Sequence, residues 1–300
     1  MLRSVALVSL GLCLTEFAVG QTVGQDVKFR RAFVDGRYGQ VHVLTSEPLD
    51  RRSVATPVAC FAPNPSAGRY FAEFMKVLGQ DRVMIAPDYP GVGDSDPPPA
   101  PPDMPDYAAS MADVLVQLGY GADGAGPIDV CGYHTGAFVA IELAVSYPEL
   151  VRKLVLMGVP FYLADKRQEQ YQRTVVEEQP SEDFESIRVW WDFRVTNRPE
   201  GIPLERAYDM FVDTLKPGYR HSWPYRAVFT YPAEERAPLV KQAVLILNTH
   251  GGLKEQTRAI EPYFPAARLI EVPELHHGIF DLGPEILARH ARPFLDQAGE

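Results

Sequence analysis

At 300 residues, with 46% hydrophobic and 23% charged, the chain has the composition of an ordinary globular protein, and its length suits one large α/β domain with an insertion or two modest domains. The formal net charge is −10, from 29 basic and 39 acidic residues, and no run is rich in Lys or Arg. That balance excludes nucleic acid and an anionic membrane surface as natural partners.

The first 20 residues form a pattern of their own. Arg3 supplies one positive charge, residues 5–14 are almost wholly apolar, and Ala18-Val19-Gly20 is a small-x-small site before Gln21. This is the three-part pattern of a secretory signal peptide, and its apolar run is too short for a membrane span of ~20 residues. The expectation is a secreted or periplasmic protein if the segment is removed, and a cytoplasmic one otherwise. Beyond Cys13 only Cys60 and Cys131 remain, too few for a disulfide framework, so both are expected as buried free thiols.

Residues 27–34 and 40–46 read as two strands around a Gly-rich turn, a hairpin. Strands are then predicted at 57–62, 83–87, 128–132 and 153–159, alternating with helices at 67–78, 106–118 and 135–147. Residues 96–103 hold five prolines and read as a stiff surface spacer. The alternation stops over 161–237, which is richer in charge and aromatics and holds Trp190, Trp191 and Trp223. It resumes with strands at 243–247 and 268–272 and a closing helix at 284–295. The pattern predicts a mostly parallel sheet flanked by helices, built from 21–160 and 238–300, with 161–237 inserted after the sixth strand as a helical cap.

The most informative stretch is Val130-Cys131-Gly132-Tyr133-His134-Thr135-Gly136-Ala137. A strand runs through a small-x-x-x-small turn straight into a helix, and the two glycines allow a sharp turn with its middle residue strained and exposed. With three further markers, this elbow resembles the capped α/β hydrolases from about residue 28 to the C-terminus. The markers are Asp88-Tyr89-Pro90-Gly91-Val92-Gly93-Asp94-Ser95, the strand and loop at 60–68, and His276-His277-Gly278. The resemblance implies an α/β-hydrolase fold, a pocket for a small-molecule substrate or ligand, and no cofactor.

It also implies a serine triad, and there the chain departs. His134 stands where the family places its nucleophilic serine, and Gly251-Gly252 where an aspartate is expected; His277 alone keeps its place. Ala62-Pro63-Asn64 alters the family's oxyanion loop, so the expected donors are the amides of Asn64 and Thr135. Three readings follow. In the first, an enzyme uses a His134/His277 pair, with Glu255 as a candidate orienting acid, for hydrolysis or C–C cleavage of a small apolar or aromatic carbonyl compound. In the second, His134, His250 and His277 (His276 in reserve) hold a catalytic metal. In the third, catalysis is lost and the pocket binds an apolar molecule. Tyr133, Trp190, Trp191 and Trp223 are the expected pocket lining, with His221 at the surface.

Overall fold

The computed structural model describes residues 27–50, 52–176 and 182–298; the signal-peptide pattern lies outside the described residues. Eight strands form one sheet: β1 (Lys28–Gly36), β2 (Gly39–Glu47), β3 (Val58–Phe61), β4 (Met84–Pro87), β5 (Ile128–Tyr133), β6 (Val151–Met157), β7 (Ala243–Thr249) and β8 (Ala267–Val272). Their order is β1-β2-β4-β3-β5-β6-β7-β8. The β1–β2 hairpin is antiparallel, β2 runs antiparallel to β4, and every pair from β4 to β8 is parallel.

The burial of each strand follows from its place. β3 and β4 are buried at every residue, as expected of parallel strands covered on both faces, whereas β1 at the edge has no buried residue. The helices α1 (Ala72–Leu78), α2 (Met104–Gln117) and α3 (Thr135–Ser146) precede β6. Between β6 and β7 lie α4 (Ala164–Thr174), α5 (Glu185–Trp191), α6 (Leu204–Leu215), α7 (Trp223–Thr230) and α8 (Ala233–Arg236). The chain closes with α9 (Lys254–Ala259), α10 (Ile279–Leu282) and α11 (Pro284–Leu295). Two apolar clusters form the core: one joins α2 and α3 to the sheet, the other joins α1, α10 and α11.

Most predicted elements occur within two residues of their expected ends, and the differences have local causes. The proline-rich spacer is irregular, and it stops at Asp103, whose side chain accepts from the Asp106 amide in a capping box that starts α2. The helix expected from 67 opens instead as a 3₁₀ turn, Gly68–Phe71. β6 ends at Met157 rather than 159 because Gly158 takes φ +53 with the Tyr133 ring against it. Cys60 and Cys131, paired across β3 and β5, are buried free thiols as expected.

The β5–α3 junction is held by close approach. A Cβ on Gly136 would lie 1.9 Å from the Phe61 carbonyl oxygen, and one on Gly132 2.4 Å from that of Gly136. Both contacts are with backbone, so side-chain rearrangement cannot relieve them. Gly136→Ala is therefore expected to destabilise the fold by about 3 kcal/mol, the upper range for overpacking, read as a lowered urea midpoint at unchanged m value. A variant as stable as the parent would show that the β3–α3 contact does not fix the junction.

Candidate active site

β5 delivers the chain to His134, and α3 carries it away from the next residue. His134 has φ 57 and ψ −119, and among the described residues no other non-glycine has positive φ. For a residue with a Cβ this conformation costs about 1–3 kcal/mol, and it persists only where the surroundings over-determine it. They do so here. The His134 amide donates to the Met157 carbonyl (3.2 Å), and its own carbonyl accepts from the Ala137 amide (3.0 Å).

The turn presents the half-buried imidazole to two adjoining cavities. One, of about 380 Å³, is lined by His134 with Pro63, Asn64, Tyr70, Tyr133, Arg194, Tyr225, Thr249, Gly251, Gly252 and His277, among others. The second, of about 500 Å³, extends from His134 past Tyr162, Trp190, His221 and Phe229 towards α4. His134 Nδ1 is buried and has no hydrogen-bond partner. Burial without a counter-charge pushes its pKa down to about 4, so the ring is an uncharged imidazole at neutral pH.

The loop after β3 supplies the opposite wall. Asn64 is buried; its Nδ2 donates to the His221 carbonyl (2.7 Å) and its carbonyl accepts from the Tyr225 hydroxyl (3.2 Å). This ties the loop to α7 and to the turn before it. From below, Asp88 accepts from the amides of Gly68 (2.6 Å) and Asp94 (3.0 Å) and from His42 Nδ1 (3.0 Å), while the Tyr89 hydroxyl donates to the Ala62 carbonyl (2.9 Å). The Asp88–Ser95 motif thus acts as a brace for the loop beside His134.

The third wall comes from the loops after β7 and β8. His277 lines the first cavity while remaining exposed, and no hydrogen bond joins it to His134. The two rings share a cavity without making the direct bond that a coupled pair would need. Beside them, His276 Nδ1 donates to the His250 carbonyl (3.1 Å). Glu271 on β8 accepts from His250 Nε2 (2.9 Å), from Asn248 Nδ2 (3.1 Å) and from Arg258 Nε (2.9 Å). Desolvation is the largest single influence on Glu271 and raises its pKa, but the bonds from His250, Asn248 and Arg258 outweigh it and hold the carboxyl at about 2.

Several expectations are corrected by this arrangement. Glu255 is exposed on α9 and pairs with Arg258 (2.8 Å), so it does not orient His277. His250 is committed to Glu271, and among the described residues the group of ligand-type atoms that come together is His42, Asp88 and Asp94; His134, His250 and His277 do not converge. Trp191 packs edge-on against Tyr208 and Phe211, joining α5 to α6, and Trp223 lies near Arg220; neither lines these cavities, whereas Tyr133 and Trp190 do. Thr135 is buried at the start of α3 and is not part of the lining. His221 is buried rather than superficial, with Nδ1 donating to the Gly218 carbonyl (3.0 Å) and its ring edge-on to Trp190.

Tyr70 and Arg194 line the cavity unforeseen. Tyr70 stacks on Tyr133 at 6.0 Å between ring centroids. Arg194 sits in the segment following α5, with Nε donating to Thr214 Oγ1 (2.9 Å) and Nη2 to Ser66 Oγ (3.1 Å). The sequence signal for Arg194 was its place at the end of an aromatic-rich run, Trp190-Trp191-Asp192-Phe193-Arg194.

Comparison with known proteins agrees with this fold. The family model for the alpha/beta hydrolase fold matches residues 62–201. The chain is 32% identical over 127 residues to a poly(3-hydroxyalkanoate) depolymerase of Ectopseudomonas oleovorans, covering 39% of this chain and 43% of that protein. It is 31% identical over 98 residues to a pyrrolizixenacetamide deacetylase of Xenorhabdus hominickii, covering 33% and 35%. The chain therefore spans less than half the length of these curated relatives. Among solved structures, a hydrolase from Pseudomonas aeruginosa PA01 superposes with a TM-score of 0.71 at 17% identity, over 89% of this chain and 99% of the other. This chain has the α/β-hydrolase fold.

The depressed pKa of His134 has a stability consequence. The native state refuses a proton that the unfolded chain takes up near pH 6.5, so the stability present above that pH is lost as pH falls towards about 4. Between pH 7 and pH 4 the parent is expected to lose about 3 kcal/mol more than His134→Gly, which has nothing to titrate there. The glycine variant should also be at least as stable as the parent at pH 7, since glycine accepts positive φ. Urea unfolding at the two pH values reads both; equal acid losses would refute the buried, uncharged imidazole.

Proposed function

We propose that this protein is an α/β-hydrolase-fold enzyme that cleaves a small, largely apolar or aromatic carbonyl compound, with His134 as the reacting group and the helices between β6 and β7 as a cap over the site. The observation that carries the reading is the position of His134: a titratable ring held in a strained backbone conformation and presented to two cavities. The partial matches to a depolymerase and a deacetylase support hydrolysis as the reaction class.

In this reading the Nε2 lone pair of the uncharged His134 attacks the substrate carbonyl carbon. The carbonyl π electrons move to oxygen, where the amide of Asn64 receives the oxyanion. Collapse expels the leaving group as its anion and leaves an acyl-imidazolium, because Nδ1 keeps its proton. Water then adds, giving up a proton to His277 on the exposed side of the cavity; the carboxylic acid departs as the N–C bond breaks and restores the neutral ring, and His277 passes its proton to the expelled anion. A low imidazole pKa makes His134 a good leaving group in that second step. The same site would serve C–C cleavage next to a ketone, with the carbanion as the leaving group. No cofactor enters either scheme.

A second reading, a binding protein for an apolar molecule, is favoured by one observation: His134 Nδ1 has no acceptor, and no carboxylate lines its cavity to orient either ring. Kinetics separates the two. Simple aryl acetates are expected to turn over slowly, and His134→Ala should lower kcat by about a hundredfold or more. His134→Ser alone should not yield an ordinary esterase, because Gly251 and Gly252 stand where a triad acid would be needed. Turnover left intact in His134→Ala would remove His134 from the chemistry and leave the binding reading.

A further inference from the structure

The walls of the first cavity beside His134 carry no carboxylate; Asp281 lines an adjoining cavity that Tyr70, Arg194 and His277 also line, where it is paired with Arg206 (2.7 Å). In a chain with ten more acidic than basic residues, the first cavity's one permanently charged side chain is the guanidinium of Arg194. Several arginines in the same part of the fold are matched with acids: Arg69 with Asp213, Arg206 with Asp281 (2.7 Å), Arg167 with Glu234 (2.5 Å) and Arg236 with Glu142 (2.8 Å), while Arg198 donates to the carbonyls of Ile202 (3.0 Å) and Val195 (2.9 Å). Arg194 has no acid partner among the described residues. Its Nε and Nη2 are held by two neutral hydroxyls, Thr214 and Ser66, and Nη1 makes no bond within the described residues. Asp213, the acid whose field reaches Arg194, is already engaged by Arg69 and Lys216 (3.4 Å).

A cation enclosed without a counter-ion loses solvation that nothing in the protein returns. Burial accordingly lowers the pKa of Arg194, although a guanidinium stays charged at any physiological pH. The two hydroxyls fix the direction of the guanidinium plane, so its free edge is set in place before any ligand arrives. Tyr70 lines the cavity beside it, and its hydroxyl has no acceptor among the described residues. One fixed guanidinium edge and one free hydroxyl, with no second permanent cation, match a single negative charge on a planar group.

We propose that Arg194, assisted by the Tyr70 hydroxyl, is a carboxylate subsite, and that the carbonyl compound reaching His134 carries a carboxylate group. The substrate class becomes a small keto acid or ester acid whose apolar body occupies the aromatic part of the cavity. This inference rests on the proposed function for the role of His134, but the subsite itself is tested by binding alone.

The test compares two ligands of nearly equal shape, benzoate and benzamide, by isothermal titration at low ionic strength. The parent is expected to bind benzoate at least tenfold more tightly than benzamide. Arg194→Gln should bring benzoate down to the level of benzamide and leave benzamide unchanged, which also shows that the cavity has kept its shape. Arg194→Lys should keep a several-fold preference, and Tyr70→Phe should reduce it by a smaller factor. His134→Ala should retain the full preference, so a failure of the catalytic reading is distinguishable from a failure of this one. If Arg194→Gln does not fold, the parent's preference and its partial retention in Arg194→Lys decide the matter. Equal binding of the two ligands, no binding of either at millimolar concentration, or a preference that survives Arg194→Gln would overturn the proposal.

Discussion

The approach of α3 to β3 governs the site. With Gly136 against the Phe61 carbonyl and Gly132 folded under Gly136, the chain must reverse within a single residue between β5 and α3. That residue has no relaxed conformation available and is thrust off the end of the sheet. The central strands supply the rigidity: β3 and β5 are buried and in register from Val58–Asp129 to Phe61–Gly132. A strained elbow on a flexible support would relax; here relaxation would require breaking the middle of the sheet.

Electrostatics then sets the character of what the elbow presents. A serine elbow works through a chain of partners, a base for its proton and a carboxylate behind the base. This cavity contains neither that hydroxyl nor that carboxylate. The acid nearest in function, Glu271, lies one strand further on, and its oxygens are saturated by His250, Asn248 and Arg258. It organises the loop that carries His276 instead of polarising a ring in the cavity. His134 is left as a neutral imidazole at neutral pH, and Arg194 as the only fixed charge lining the first cavity. The polarity of the cavity is thus opposite to that of the molecule, whose net charge is −10.

The fold was readable in the chain because its signals are local and repeated. Short apolar runs bounded by Gly and Pro marked the strands, and the helix expected from 106, after the Pro-rich spacer, begins two residues earlier as α2. The elbow was readable for the same reason, since strand, two glycines and helix occupy consecutive residues. Side-chain partners carry no such signal. Position in the chain pointed to Glu255, and only the pairing of β7 with β8 shows that Glu271 meets His250 while Glu255 turns to Arg258. Trp190 and Trp191 are adjacent in sequence yet point to different places, because successive residues on a helix are about 100° apart; one lines the second cavity and the other packs α5 on α6.

What the sequence by itself determined is the order of elements, the parallel sheet, and the histidine at its elbow, since each depends on residues close together in the chain. What only the tertiary structure decided is the company that histidine keeps. Arg194 reaches the cavity through bonds to Thr214 and to Ser66, the latter 128 positions away, and Asn64 is held by the carbonyl of His221, 157 positions away. Which charges meet, and which are left unmatched, depends on contacts between segments that share no local pattern, and it is these contacts that make the cavity acid-free with a single open guanidinium.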